Sequence, residues 1–304
     1  GMALDDGGTC GRTGTMTGYY EVAGFVFSLA FDDRHDLDAM LPSFVDFKRE
    51  DASEGLLLFE LRERSLSGIC PEAVLLDDDR NDMGHTRLYA LDGGYRVELS
   101  YAGEDYVHIL ETNADFTEAD ACIRWDDAYA SSALASLIRI VCSQAVILHD
   151  AVSMHASVVV CDDRAFVFMG RSGTGKSTHS ALWLDSFEGT YLLNDDNPFV
   201  RIRDGKVLAY GSPWSGKTPC YRAENAPVAG IVRLEQAPEN AFGLAEDIEA
   251  FSVLLPGCSV IRQNGKAYDA LCATLIKITE LVKVGRLKCL PERGAAELCR
   301  MNLI

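Results

Sequence analysis

Residues 170–177 read Gly-Arg-Ser-Gly-Thr-Gly-Lys-Ser, a full match to G-x-x-x-x-G-K-[ST], set between a β-like run and a helix-like run. The preceding run, Ala165-Phe-Val-Phe-Met169, is short and wholly apolar. The following residues, 177–184, carry helix formers with Ala181, Leu182 and Leu184 as apolar positions. A strand, a glycine-rich turn and a helix in that order aim backbone N–H groups and the positive end of the helix dipole at one point. An anion is held there without any side chain. Lys176 adds a cation with reach to the β and γ phosphates, and Ser177 adds a hydroxyl suited to Mg²⁺. Gly170, Ser172, Gly173, Thr174, Gly175, Lys176, Ser177 and Thr178 are therefore expected to bind a nucleoside triphosphate, ATP or GTP, with Mg²⁺.

At 304 residues and 48% hydrophobic content, the chain has enough apolar material for a substantial core, in one large or two modest domains. Its net charge of −18 repels nucleic acid and anionic membrane, so neither is expected as a partner. The ten cysteines include no C-x-x-C pair and no Cys/His cluster at zinc spacing, and most fall in apolar runs, as reduced cysteines do. No uninterrupted apolar run reaches the ~18 residues of a membrane span, and the first residues lack an apolar signal core. A cytoplasmic location is expected, with Gly1 ahead of Met2 read as an expression scar.

Residues 1–18 are small, polar and Gly-rich and are set aside as a tag or disordered segment, with order starting near Tyr19. From 19 to 125, short β-rich runs at 20–31, 55–61, 86–91, 95–101, 106–111 and 122–125 alternate with Asp-, Gly- and Asn-bearing turns. That pattern predicts a β-rich N-terminal domain built as an antiparallel sheet, with Asp77-Asp78-Asp79 as a solvated turn. Residues 126–304 form the second domain. It is expected to open with a long helix from Asp126 or Asp127 to about Leu148, followed by a hairpin of 157–161 and 165–169. Strands are then predicted at 190–193, 199–202, 207–210 and 228–234, and helices at 244–255, 266–284 and 292–301. An antiparallel hairpin feeding a glycine-rich loop is unusual, because ordinary phosphate-loop folds feed it from a parallel strand.

Asp195 and Asp196 end the strand that follows the loop helix. Two adjacent carboxylates there can divide two tasks, one holding Mg²⁺ and one accepting a proton from an attacking hydroxyl, although Asp-Asp-Asn-Pro also suits a turn. His155, GRSGTGKST at 170–178 and the Asp195-Asp196 pair together resemble the HPr kinase/phosphorylase catalytic domain and, more distantly, the phosphoenolpyruvate carboxykinases. The resemblance covers roughly residues 154–217. It implies an α/β fold of α+β character, a phosphate-loop domain of the carboxykinase type with a mixed sheet. It also implies Asp195 as general acid/base, Asp196 and Ser177 as metal-associated, His155 as a helper near the transferred phosphate, and a homo-oligomer. One departure stands out: the residue after the Lys-Ser pair is commonly acidic in HPr kinases, and here it is Thr178.

Residues 211–218, Gly-Ser-Pro-Trp-Ser-Gly-Lys-Thr, match the eight-residue pattern again, but Pro213 removes an N–H donor and Pro219 stands where a helix should propagate. This segment is expected to fold over the first site, with Lys217 contacting phosphate or substrate and Trp214 closing the pocket. The leading expectation is a Mg²⁺-ATP-dependent kinase acting on a hydroxyl of a protein, peptide or small molecule. An ATP-binding regulator without transferase activity and a carboxykinase-like enzyme acting on a small keto acid stay open.

Overall fold

The run ahead of the glycine-rich turn is wholly apolar because both of its faces are buried. Ala165, Val167 and Met169 join one apolar cluster, while Phe166 and Phe168 join another on the opposite face. The structure, a computed structural model, describes residues 14–52, 57–81, 84–101 and 105–304. Over these it has an α+β fold with two mixed nine-stranded sheets.

The first sheet comprises β1 (Thr15–Val22), β2 (Phe25–Asp32), β3 (Lys48–Arg49), β4 (Glu60–Glu63), β5 (Val74–Asn81), β6 (Gly84–Leu91), β7 (Gly94–Ser100), β8 (His108–Asn113) and β9 (Glu118–Cys122), in the order β3-β1-β2-β4-β9-β8-β7-β6-β5. A short helix, α1 (Leu37–Met40), follows β2. Four expectations are corrected here. Residues 15–18 are strand rather than frayed chain, since all of β1 pairs with β2. The sheet is not purely antiparallel, because β4 lies parallel to both β2 and β9. The single run at 20–31 is split by a turn at Ala23-Gly24, both with positive φ. The Asp77-Asp78-Asp79 run lies in edge strand β5, where Asp78 meets His85 at 2.5 Å and Arg87 at 3.3 Å across the pair with β6. Residues 53–56, at the head of the predicted run 55–61, and residues 1–13 lie outside the described residues.

Helix α2 (Ala130–Ala145) continues as a 3-10 turn to His149. The 20-residue stretch Ala130–His149 is long and apolar enough to cross a membrane by length and composition, and 61% of its most apolar window is buried within this fold. Its buried face, with Leu134, Leu137, Ile138 and Val141, belongs to a core that also contains Phe27, Phe44 and Phe59 from the first half and Phe199, Tyr210, Trp214 and Ile261 from the second half. One apolar cluster therefore spans residues on both sides of position 126.

The second sheet comprises β10 (Ala151–Ser153), β11 (Ala156–Cys161), β12 (Arg164–Met169), β13 (Tyr191–Asp196), β14 (Phe199–Arg203), β15 (Lys206–Tyr210), β16 (Asn225–Gln236), β17 (Ala241–Ala245) and β18 (Lys283–Cys289). Helices α3 (Lys176–Ser186), α4 (Asp247–Leu254), α5 (Gly265–Leu281) and α6 (Arg293–Leu303) complete it. The expected hairpin forms between β11 and β12, through Asp162 and Asp163 with φ of 50° and 63°, the geometry of a two-residue turn of primed type. β12, β16 and β18 run parallel, and the flanking strands are antiparallel. Helices α4 and α5 contribute to the cluster on one face, and α3 and α6 to the cluster on the other. Helix boundaries differ from expectation, and α2 begins at Ala130 with Tyr129 rather than Asp126 or Asp127 at its N-cap. Leu244 is strand, because Ala241–Ala245 pairs with β18, and α5 stops at Leu281 so that Val284 lies in β18.

Candidate functional site

The glycine-rich segment leaves β12 at Gly170 (φ 155°), where a Cβ would lie 2.5 Å from Thr174 Oγ1 and 3.1 Å from the Leu234 carbonyl. Only glycine fits so close to the backbone of β16. Gly175 (φ 95°) is the N-cap of α3 and offers no side-chain cap, so the first N–H groups of that helix have no side-chain acceptor from the cap. Thr174 Oγ1 donates to the Arg171 carbonyl at 2.7 Å, and Gln236 Nε2 to the Gly173 carbonyl at 3.5 Å, which hold the turn in shape. Ser172, Gly173, Ser177 and Thr178 are exposed, and Thr174 and Gly175 are half-buried.

Lys176 lies back across the segment, its Nζ donating to the carbonyls of Gly170 at 3.0 Å and Arg171 at 3.1 Å. Burial pulls its pKa below the ordinary lysine value, and the charges of Asp196 and Asp195 oppose that drop. The helix behind it is anchored by fully buried Trp183, whose ring lies 4.5 Å from Phe166, 5.4 Å from Phe168 and 5.0 Å from Phe187. Such a residue typically costs about 3–5 kcal/mol to remove, so α3 is a stiff mount for residues 176–178. His179 takes part in that anchor. Its Nε2 accepts from Trp183 Nε1 at 3.0 Å, and burial pushes its pKa down to about 4.

Strand β13 pairs with β11 so that Asp195 lies opposite Ser157 and Asp196 opposite Ala156, the neighbour of His155. The two carboxylates part company there. Asp195, 4% exposed, accepts from Ser177 Oγ at 2.9 Å through Oδ1 and from the Thr218 N–H at 3.4 Å through Oδ2. Asp196 instead pairs with His155 Nε2 at 2.9 Å, and both side chains are open to solvent. The His155 hydrogen bond, aided by the charges of His155, Arg139 and Lys176 against a burial penalty, holds the Asp196 carboxyl below the ordinary carboxylate range. Asp196 also has φ 122°, a costly backbone state for a residue with a side chain, of the sort found where a site dictates geometry.

The second pattern match lies against this pair. Ser215 bridges to Asp196, Ser215 Oγ donates to the Asp195 carbonyl at 3.1 Å, and the Gly216 N–H donates to the same carbonyl. A Cβ on Gly216 would lie 3.1 Å from that of Asp196. Lys217 is exposed beside it. Trp214 does not close a pocket as expected. It is buried in the shared core, edge-on to Phe44 at 5.5 Å, with Nε1 donating to the Ala135 carbonyl at 2.9 Å. An indole buries far more apolar surface than a lid position offers, and the core claims it.

Three contributors were not foreseen. Asn194, fully buried, donates to Ser212 Oγ at 3.3 Å and the Trp214 carbonyl at 2.9 Å, tying the second segment to β13. Arg139, the single basic residue of α2, adds positive charge near Asp196, and Arg233, in register with Met169, does so near Lys176. A lone arginine within each apolar element was the available signal. Among the described residues, no three His, Cys, Asp or Glu side chains gather as a metal cluster.

The chain matches no protein-family model and no curated protein. Among solved structures it is similar to the Hpr(Ser) kinase/phosphatase from Coxiella burnetii, at 13% sequence identity and a TM-score of 0.31, over 49% of this chain and 86% of that one. The similarity is weak and partial.

Proposed function

We propose that the chain is a Mg²⁺- and ATP-dependent phosphotransferase of the HPr-kinase-like type, transferring a γ phosphate to a hydroxyl on a protein, peptide or small molecule. The observation that carries this reading is the hydrogen bond from Ser177, on the glycine-rich segment, to Asp195, with the His155–Asp196 pair beside it. The segment's N–H groups and Lys176 bind the phosphates, with Lys176 exchanging its two carbonyl contacts for phosphate oxygens. Ser177 Oγ and Asp195 Oδ1 are two hard oxygen donors at 2.9 Å, a donor set that fits Mg²⁺ with phosphate and water completing the shell. When bound there, the metal supplies charge compensation for the phosphate oxygens.

This geometry favours exchanging the roles that the family resemblance assigned to the two aspartates. Asp195 is the metal-side carboxylate. Asp196, solvent-facing and held ionised by His155, receives the proton of the acceptor hydroxyl. A weak base suffices, because little charge develops on the attacking oxygen in a loose phosphoryl-transfer transition state. Lys217, exposed on the segment that covers the aspartates, lies on the acceptor side.

Asp195→Asn and Asp196→Asn separate these roles. With γ-labelled ATP and a cell extract as acceptor source, both variants are expected to lose label transfer by several orders of magnitude. In nucleotide titrations, Asp196→Asn keeps the Mg²⁺ dependence of binding and Asp195→Asn loses it. Transfer undiminished in both variants contradicts the proposal.

A further inference from the structure

We infer a second anion site, for a small tetrahedral oxyanion of the phosphate type, at the seam between the two sheets and independent of the nucleotide reading. The turn Ala23-Gly24 joining β1 and β2 lies against β14. A Cβ on Gly24 would lie 2.7 Å from Arg203 Nη1 and 2.8 Å from Arg201 Nη1, so two guanidinium groups converge on one point. Arg201 donates from Nη1 to the Ala23 carbonyl at 2.9 Å and stacks over the Phe25 ring at 3.7 Å, while its Nε is buried without an acceptor. Among the described residues neither arginine has a carboxylate at ion-pair distance, and burial, followed by the neighbouring Arg203 cation, pulls the Arg201 pKa below its ordinary value. Two adjacent cations with no carboxylate in ion-pair contact favour an anion between them, with Asp150, Asp204 and Glu21 near enough to offset part of their charge.

A cavity of about 140 Å³ opens beside the exposed Arg203, with Arg49, Tyr210, Glu21, Glu224 and Gly24 also in its wall and Arg201 outside its lining. Tyr210 is 6% exposed, and its hydroxyl lies against the Arg203 guanidinium, which donates to it and offers no acceptor for its O–H. A buried donor left so is rare and calls for a partner. Of the two carboxylates, Glu21 is engaged by Arg49 at 2.6 Å and Glu224 faces Arg222 at 3.7 Å. The volume equals that of several waters at ~30 Å³ each, room for a phosphate ion but too little for a nucleoside. Gly211, which starts the segment over Asp195 and Asp196, directly follows Tyr210, so an anion here steadies the root of that segment.

The test uses inorganic phosphate as probe, against sodium chloride at equal ionic strength, with thermal unfolding and calorimetric titration as readouts. Lys176→Ala weakens phosphate binding at the glycine-rich segment, whose N–H groups still contribute, so the seam is read from the difference its own substitutions make. In that background phosphate is expected to raise the midpoint, and adding Arg203→Gln is expected to weaken binding about tenfold, the size of a lost charged hydrogen bond. Tyr210→Phe, which removes a single hydroxyl, reads the same contrast should the arginine variant fail to fold. No phosphate-specific shift in Lys176→Ala, or a shift that survives both Arg203→Gln and Tyr210→Phe undiminished, overturns the inference.

Discussion

The ion pair between His155 and Asp196, at 2.9 Å, sets the charge state of the proposed proton acceptor. Its direction follows from linkage. A carboxyl with a lowered pKa stays ionised above that pKa, and the charge that His155 stabilises is lost as pH falls through it. Asp196 therefore imposes no acid limb on the wild-type rate until below the ordinary carboxylate range. His155→Gln removes the largest cause of the lowering, so the acid limb of kcat/KM should move to higher pH; an unmoved limb would count against the pairing. At this scale the sequence singled out residues that the fold brings together, but not which of them pair. Asp195 and Asp196 are adjacent on one strand, and only the pairing of β13 with β11 determines that Asp196 meets His155 while Asp195 meets Ser177.

Two eight-residue segments match one pattern, and their elements diverge for visible reasons. Residues 170–177 have positive φ at Gly170, Gly173 and Gly175 and run into α3. Gly211 and Gly216 have no such φ; they are glycines because other backbone lies close, with a Cβ on Gly211 falling 2.0 Å from the Arg222 carbonyl. Gly211→Ala should thus destabilise the fold by roughly 1–3 kcal/mol in denaturant titration, as forced overpacking against backbone does, whereas a phosphate-cradle role would lower nucleotide affinity at unchanged stability. Pro213 and Pro219 made this difference legible in advance. Strands β5 and β18 were not legible, since Asp77-Asp78-Asp79 and Lys283-Val-Gly-Arg286 carry little β-branched character and owe their conformation to pairing with β6 and with β16 and β17.

For the whole molecule, the apolar cluster that joins Phe44, α2, Phe199 and Trp214 makes the seam between the sheets part of one core. Trp214→Ala should cost about 3–5 kcal/mol, with probes in the first and second sheets unfolding in a single transition; separate transitions would mean independent folding units. The same residue anchors the segment over the aspartates, which links core packing to the site. The most direct test of the proposed function is a crystal structure with a non-hydrolysable ATP analogue and Mg²⁺. The expected result is phosphates on the N–H groups of residues 170–177, Lys176 turned from its carbonyls to the phosphates, and the metal against Ser177 and Asp195 with Asp196 still on His155. A nucleotide bound elsewhere, or a metal held by Asp196 alone, would contradict it.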